Sequence, residues 1–117
     1  MQDLITQSEL QQHLADKEFV LKTQKQIARD FSKFNLIFEQ EFEESAYEKE
    51  RIEAMVAQRI SQLMTEGESR LLQLLYNIDL SEKEFLVLTA EPNFIQLLAE
   101  KILFREAYKV FLRSKFS

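Results

Sequence analysis

The sequence contains a single glycine, Gly67, and a single proline, Pro92, among 117 residues. Average usage would give roughly eight glycines and roughly six prolines. Hairpins, bulges and glycine-rich phosphate loops depend on residues that tolerate positive φ angles, and this chain has almost none of them. The scarcity nearly excludes an all-β fold and predicts an all-α one.

Hydrophobic residues make up 45% of the chain, which is usual for a soluble domain. At this length roughly two thirds of the unfolded chain's surface is buried on folding, so neither a metal nor disulfides are needed for stability. We expect a single helical domain over residues 1–117, built as a helical bundle of four to five helices.

Apolar side chains recur at helical spacing from Val20 to Phe42, and Ile52 to Leu63 continue the stripe in phase. Four cations, Lys22, Lys25, Arg29 and Lys33, lie on the opposite side of the first part. The pattern leaves two alternatives for about residues 17–66: one long amphipathic helix, or a helical hairpin broken near Ser45. In the second case, Ser45 and Glu48 would form a capping box.

Pairs of Ser or Thr with Glu three residues later predict helix starts. These pairs are Thr6/Glu9, Thr65/Glu68 and Ser81/Glu84. Leu80 and Phe85 flank the last pair as a hydrophobic staple does, and this helix should end near Ala90. Gly67 is expected either as a left-handed cap or beside the second pair, and Pro92 in the first turn of a last helix that runs to about Arg113.

The composition argues against an enzyme. No cysteine is present, and His13, the one histidine, offers with Glu9 at most half of a metal site. Seven glutamates fall within residues 39–53, where they are expected to be solvated and not a catalytic pair. We therefore assign no catalytic residue, no metal ligand and no cofactor.

The N-terminus shows neither a basic cluster followed by an apolar segment nor a run long enough to cross a membrane. The expectation is a cytoplasmic location by default, with no membrane partner.

A long helix would project beyond the short helices able to cover it, and its uncovered stripe would then form an interface. The candidate interface residues are Ile27, Phe31, Phe34, Phe38 and Phe42. The basic first part and the acidic second part of residues 17–53 would attract each other in an antiparallel pair of chains. The leading hypothesis is a non-enzymatic helical module for protein–protein interaction, either a self-associating homodimer or a small helical adaptor that binds a protein partner.

The last helix carries cations at intervals of four residues, and these form a candidate basic surface. They are Lys101, Arg105, Lys109 and Arg113. A helix that follows a phosphate backbone has this pattern, so the alternative is an accessory protein associated with nucleic acid. The net charge of −5 argues against that alternative.

Residues 71–117 resemble small uncharacterised helical proteins of bacterial genomes. The likeness rests on a Leu-Tyr-x-x-Asp-x-x-Glu turn followed by a hydrophobic helix that closes with spaced cations. The matching positions are Leu75, Tyr76, Asp79 and Glu82, then Arg105, Lys109 and Arg113. The resemblance implies a helical fold and no particular activity.

Overall fold

Six α-helices make up most of residues 5–116, the part of the chain that the computed structural model describes. They are α1 (Gln7–His13), α2 (Lys17–Ser32), α3 (Lys49–Met64), α4 (Glu68–Asn77), α5 (Glu82–Thr89) and α6 (Phe94–Phe116). A short 3-10 turn, Gln40–Glu43, lies between α2 and α3, and no β-strand occurs in this part of the chain. The all-α prediction is confirmed, with one helix more than the four to five expected.

Helix α6 lies at the centre of the packing. It contacts α1, α2, α3 and α5, and the principal extents of the resulting globule are 34 × 34 × 25 Å. Its buried face, which includes Leu98, Ile102 and Leu103, joins the largest hydrophobic core. Among residues 5–116 no helix is long and apolar enough to span a membrane.

Residues 17–66 form two separate helices, α2 and α3, and the alternative of one long helix is wrong. Both helices pack on α6 and make little direct contact with each other. Helix α2 ends at Ser32, well before the expected break near Ser45. Asn35 takes a left-handed conformation with φ of 61°, and the Leu36 amide donates to the Phe31 carbonyl at 3.2 Å. This is a left-handed helix cap of the kind that glycine usually provides, here made by an asparagine.

The connection after α2 explains why the stripe resembled a helix. Phe34, Leu36 and Phe38 are buried while Asn35 and Ile37 between them are exposed, so the segment follows the two-residue period of extended chain. Spacings of three and four between aromatic residues also fit a helix, so the apolar pattern alone does not distinguish a helix from this extended segment. The stripe was correctly identified as apolar, but its backbone between α2 and α3 is not α-helical.

Gln24 of α2 fixes this connection against the helix. Its side-chain amide donates to the carbonyls of Phe42 at 2.7 Å and Ser45 at 2.9 Å, and its Oε1 accepts from the Tyr47 amide at 2.6 Å. The side chain is completely buried. Because Gln24 bonds to three backbone groups far along the chain, it fixes the connection between α2 and α3 against α2.

The predicted helix starts had mixed outcomes. The Ser81/Glu84 capping box is confirmed, and Thr6 accepts from the Glu9 amide at 3.1 Å. The Ser45/Glu48 and Thr65/Glu68 boxes are wrong, because α3 starts after Glu48 without a side-chain cap and the Thr65 hydroxyl donates back to the Gln62 carbonyl.

Gly67 and Pro92 both lie at helix boundaries. Gly67 has a φ of 118°, which favours glycine, and directly precedes α4. Pro92 falls in the turn before α6 and not in its first turn, since the helix begins at Phe94. Helix α6 also continues to Phe116, beyond the expected end near Arg113.

Candidate interaction surfaces

The candidate interface residues pack inside their own chain. Three of them, Ile27, Phe31 and Phe42, are completely buried, and Phe34 and Phe38 are only 8% and 6% exposed. The ring of Phe38 stacks on Phe42 with centroids 4.2 Å apart and meets Phe31 at 5.6 Å. The sequence pattern predicts an uncovered stripe, but α2 ends early, at Ser32, and the connection that follows folds these side chains into the core.

The four residues of the candidate basic surface are each engaged within the chain. Lys101 Nζ lies 3.7 Å from the Glu84 carboxylate, and Arg105 pairs with Asp79. One and two turns further along α6, Lys109 and Arg113 turn toward α2. Lys109 donates to Asp30 at 2.8 Å, and Arg113 donates to the Gln26 Oε1 atom at 2.6 Å.

A buried acidic pair lies where α2 meets α6. Asp30 is 2% exposed and Glu106 is completely buried, although both are ionisable. Gln26 donates to Asp30 at 3.1 Å and Lys33 lies 3.7 Å away, while neither Glu106 carboxyl oxygen accepts a hydrogen bond of good geometry from the described residues. Lys109 Nζ is nevertheless only 3.2 Å from Glu106.

The pKa values of the two carboxyl groups are shifted in opposite directions. Burial raises the pKa of Glu106 to about 9, and the facing Asp30 carboxylate adds to the effect by hydrogen bonding and by its charge. Burial also opposes ionisation of Asp30, but hydrogen bonds from Glu106, Lys109 and Gln26 outweigh it and lower the pKa of Asp30. At neutral pH these opposite shifts favour a neutral Glu106 beside an ionised Asp30, whose charge Lys109 neutralises.

A groove with a volume of about 350 Å³ opens between α1, α5 and α6. Apolar side chains provide much of its lining: Ile5, Leu10, Leu80, Leu88, Leu97 and Phe104. Its polar lining includes both signs of charge, with Glu84 and Glu100 beside Lys101 and Arg105. We refer to this feature as the α5–α6 groove.

Helix α5, which contributes Glu84 and Leu88 to this groove, also exposes apolar side chains. Val87, the residue before Leu88, is 66% exposed, and Leu86 is 54% exposed. Phe85 is the one buried residue of this eight-residue helix. A short helix that buries one large side chain and exposes two others leaves apolar surface uncovered, as interaction sites do.

His13 takes part in an aromatic contact. Its ring lies 5.2 Å from Phe19 and 5.7 Å from Phe111, measured between centroids. In residues 5–116 no three His, Cys, Asp or Glu side chains are grouped so that they could hold a metal ion.

The motif behind the resemblance is a structural turn. Leu75 is buried, Tyr76 is 88% exposed, and Asp79 has a left-handed φ of 66° while pairing with Arg105. The Leu80 amide donates to the Leu75 carbonyl at 2.8 Å, as the Leu36 amide does after α2. No family model, curated protein or solved structure matches the chain.

Sequence reasoning missed the buried acidic pair and the α5–α6 groove. Glu106 did carry a signal, because at 100° per residue it falls in the middle of the buried face that Ile102, Leu103 and Val110 define. No sequence pattern indicates the groove, since it depends on how α1 and α5 pack on α6.

Proposed function

We propose that the protein is a non-enzymatic helical interaction module that pairs with a second copy of itself through the α5–α6 groove and the exposed side of α5. The observation that carries the proposal is the exposed apolar surface of α5, where Leu86 is 54% and Val87 is 66% exposed on the helix that also contributes Leu88 to the α5–α6 groove. Burial of such a surface is the main driving force of protein association.

The charges around the groove favour a second copy as the occupant. In a twofold pair each residue of the patch meets another residue of the same patch. The rim carries both signs of charge, Glu84 and Glu100 beside Lys101 and Arg105, so a second copy does not meet a patch of like charge. A rim of one sign would instead repel its copy.

Two further observations support an interaction role over the alternatives. The buried Asp30 and Glu106 carboxyls do not line this groove, which suits a structural pair better than a catalytic one. Lys101, Arg105 and Lys109 already neutralise acids of the same chain, which disfavours a nucleic-acid surface along α6.

Sedimentation equilibrium of the full chain at micromolar concentration tests the proposal. We expect the unmodified protein to dimerise, and Val87→Glu and Leu97→Glu each to weaken the dimer by at least about tenfold, since each places a charge in an apolar contact. Circular dichroism should show unchanged helix content for Val87→Glu.

Ile37→Glu is the matched control, because Ile37 is also 66% exposed but lies in the connection between α2 and α3. It should leave the dimer intact. A monomeric wild type, or equal weakening by Ile37→Glu, would contradict pairing through α5.

A further inference from the structure

A second cleft, with a volume of about 310 Å³, lies between α2 and the C-terminal part of α6. Four of the side chains that line it are cations, namely Lys22, Lys25, Arg29 and Arg113, and they are joined by Gln26 and Ser114. No acid lines this cleft, and none of its lining residues lines the α5–α6 groove. We refer to it as the basic cleft.

The cations of the basic cleft are poorly neutralised by the rest of the chain. Lys22 has one exposed partner, Glu18, at 3.8 Å, and no ion pair to Lys25 or Arg29 is found within residues 5–116. The chain as a whole has a net charge of −5, so this concentration of positive charge is a local feature. Like charges that converge on a concave surface repel one another, and a bound anion relieves that repulsion.

Arg113 is held in place from the inside of the protein. Gln26, which is 6% exposed, accepts from the Arg113 guanidinium at 2.6 Å and donates its own amide to Asp30 at 3.1 Å. Gln26 and Asp30 are both buried, so this series of hydrogen bonds fixes the guanidinium from the protein interior. A guanidinium fixed in this way loses little conformational freedom on binding, and its remaining donors match the oxygens of a phosphate.

We propose that the basic cleft binds a small phosphate-bearing anion, such as a nucleotide or a sugar phosphate. Its volume is at the lower end of the range for small-molecule sites, about 300 Å³ and upward. The row of cations does not continue along α6 as a free stripe, because Lys109 is bound to Asp30 and Arg105 to Asp79. A compact anion therefore fits better than an extended nucleic-acid strand, which needs a continuous track of cations.

Isothermal titration calorimetry of the full chain with inorganic pyrophosphate, and separately with adenosine triphosphate without added metal, tests this proposal. We expect saturable binding that weakens with added salt. The double variant Lys25→Gln with Arg29→Gln should bind at least about tenfold more weakly, because it removes two cations of the cleft that have no ion pair within residues 5–116. Arg113→Lys keeps the charge but loses the planar fork, and it should bind several-fold more weakly.

The control double variant, Lys17→Gln with Lys83→Gln, changes the net charge by the same amount at two exposed lysines that line neither the basic cleft nor the α5–α6 groove, and it should bind like the wild type. Absence of binding at millimolar probe, or an equal loss in the control, would overturn the proposal. So would tight binding of a fluorescently labelled single-stranded oligonucleotide, increasing with its length, when neither small probe binds. Lys25 and Arg29 are exposed, so circular dichroism should confirm that their variants fold.

Discussion

Helix α2 carries two buried glutamines, Gln24 and Gln26, which stabilise two different contacts. Gln24 bonds only to uncharged backbone groups, those of Phe42, Ser45 and Tyr47 in the connection to α3. Gln26 bonds to charged groups, the Asp30 carboxylate and a guanidinium of α6. Two glutamines that are two residues apart thus stabilise different contacts of α2. Gln24 stabilises a neutral contact with the connection, and Gln26 stabilises an ionic contact with α6.

Because of this difference, we expect the two contacts to respond differently to pH. Hydrogen bonds between neutral groups do not change with protonation, so the contact between α2 and the connection should have the same strength across the physiological pH range. The contact between α2 and α6 contains a carboxyl pair and Lys109, so its strength should depend on pH. Variants on the two sides of α2 can test the comparison.

The largest expected effect is that of Glu106→Gln. The pKa of Glu106 is raised from 4.5 to about 9 in the folded protein, so between these values the folded state holds a proton that the unfolded state has lost. The contribution of Glu106 to stability is therefore fully present below about pH 4.5, and it is lost as the pH rises toward 9. Glutamine is neutral at every pH and can still donate to Asp30, so the variant should be more stable than the wild type at pH 8, by up to about 4 kcal/mol, and similar to it near pH 5.

Urea unfolding of both proteins between pH 5 and pH 9 measures this effect. The other residues with shifted pKa values in this contact act outside the window: Asp30, whose pKa is lowered, loses its contribution below its ordinary value of 3.8, and Lys109, whose pKa is raised, loses its contribution above 10.5. Parallel pH curves for the wild type and the variant would show that Glu106 ionises normally in the folded protein.

The second prediction concerns the neutral contact. Gln24→Leu leaves two carbonyls and one amide of the connection without their partner, and should destabilise the protein by about 3 kcal/mol, since each buried unsatisfied group costs roughly 1 kcal/mol or more. The loss should be the same at pH 5 and pH 8. Gln73→Leu, on an exposed position of α4, is the control and should change stability by less than about 0.5 kcal/mol. A loss for Gln24→Leu that varied with pH would remove the distinction between the two contacts.

The comparison also shows what the sequence could predict. Helix starts with a serine or threonine cap, Ser81 and Thr6, were found because capping is local chemistry. The end of α2 was missed because its cap is Asn35, whose left-handed conformation is stabilised by the burial of Leu36 behind it. Leu36 belongs to the same buried cluster as Ile52 and Ile60 of α3, which are distant from it in sequence.

The same reasoning applies to the candidate surfaces. The pattern placed Lys101, Arg105, Lys109 and Arg113 along one row, which α6 does form. It could not show that each has a partner on another element, because the partners lie 17 to 87 residues away. The apolar stripe was likewise real, but whether its own chain or a second chain covers it is decided by the tertiary fold.

The prediction with the smallest expected effects compares Lys109 with Lys101, two of the cations along α6. Lys109 neutralises Asp30, which is 2% exposed, whereas Lys101 lies beside Glu84, whose side chain is 45% exposed. Lys109→Met leaves Asp30 with Lys33 and Gln26 as its remaining support, and should destabilise the protein by about 2 kcal/mol at pH 7, since a buried carboxylate without its main cation is costly. Lys101→Met should change stability by less than about 0.5 kcal/mol, because exposed ion pairs contribute little. Urea unfolding measures both, and the Lys109→Met loss should shrink when Asp30 is also replaced by asparagine. Equal losses for the two lysines would mean that the α2–α6 contact is stabilised by packing alone, and that the charge on Asp30 does not need Lys109.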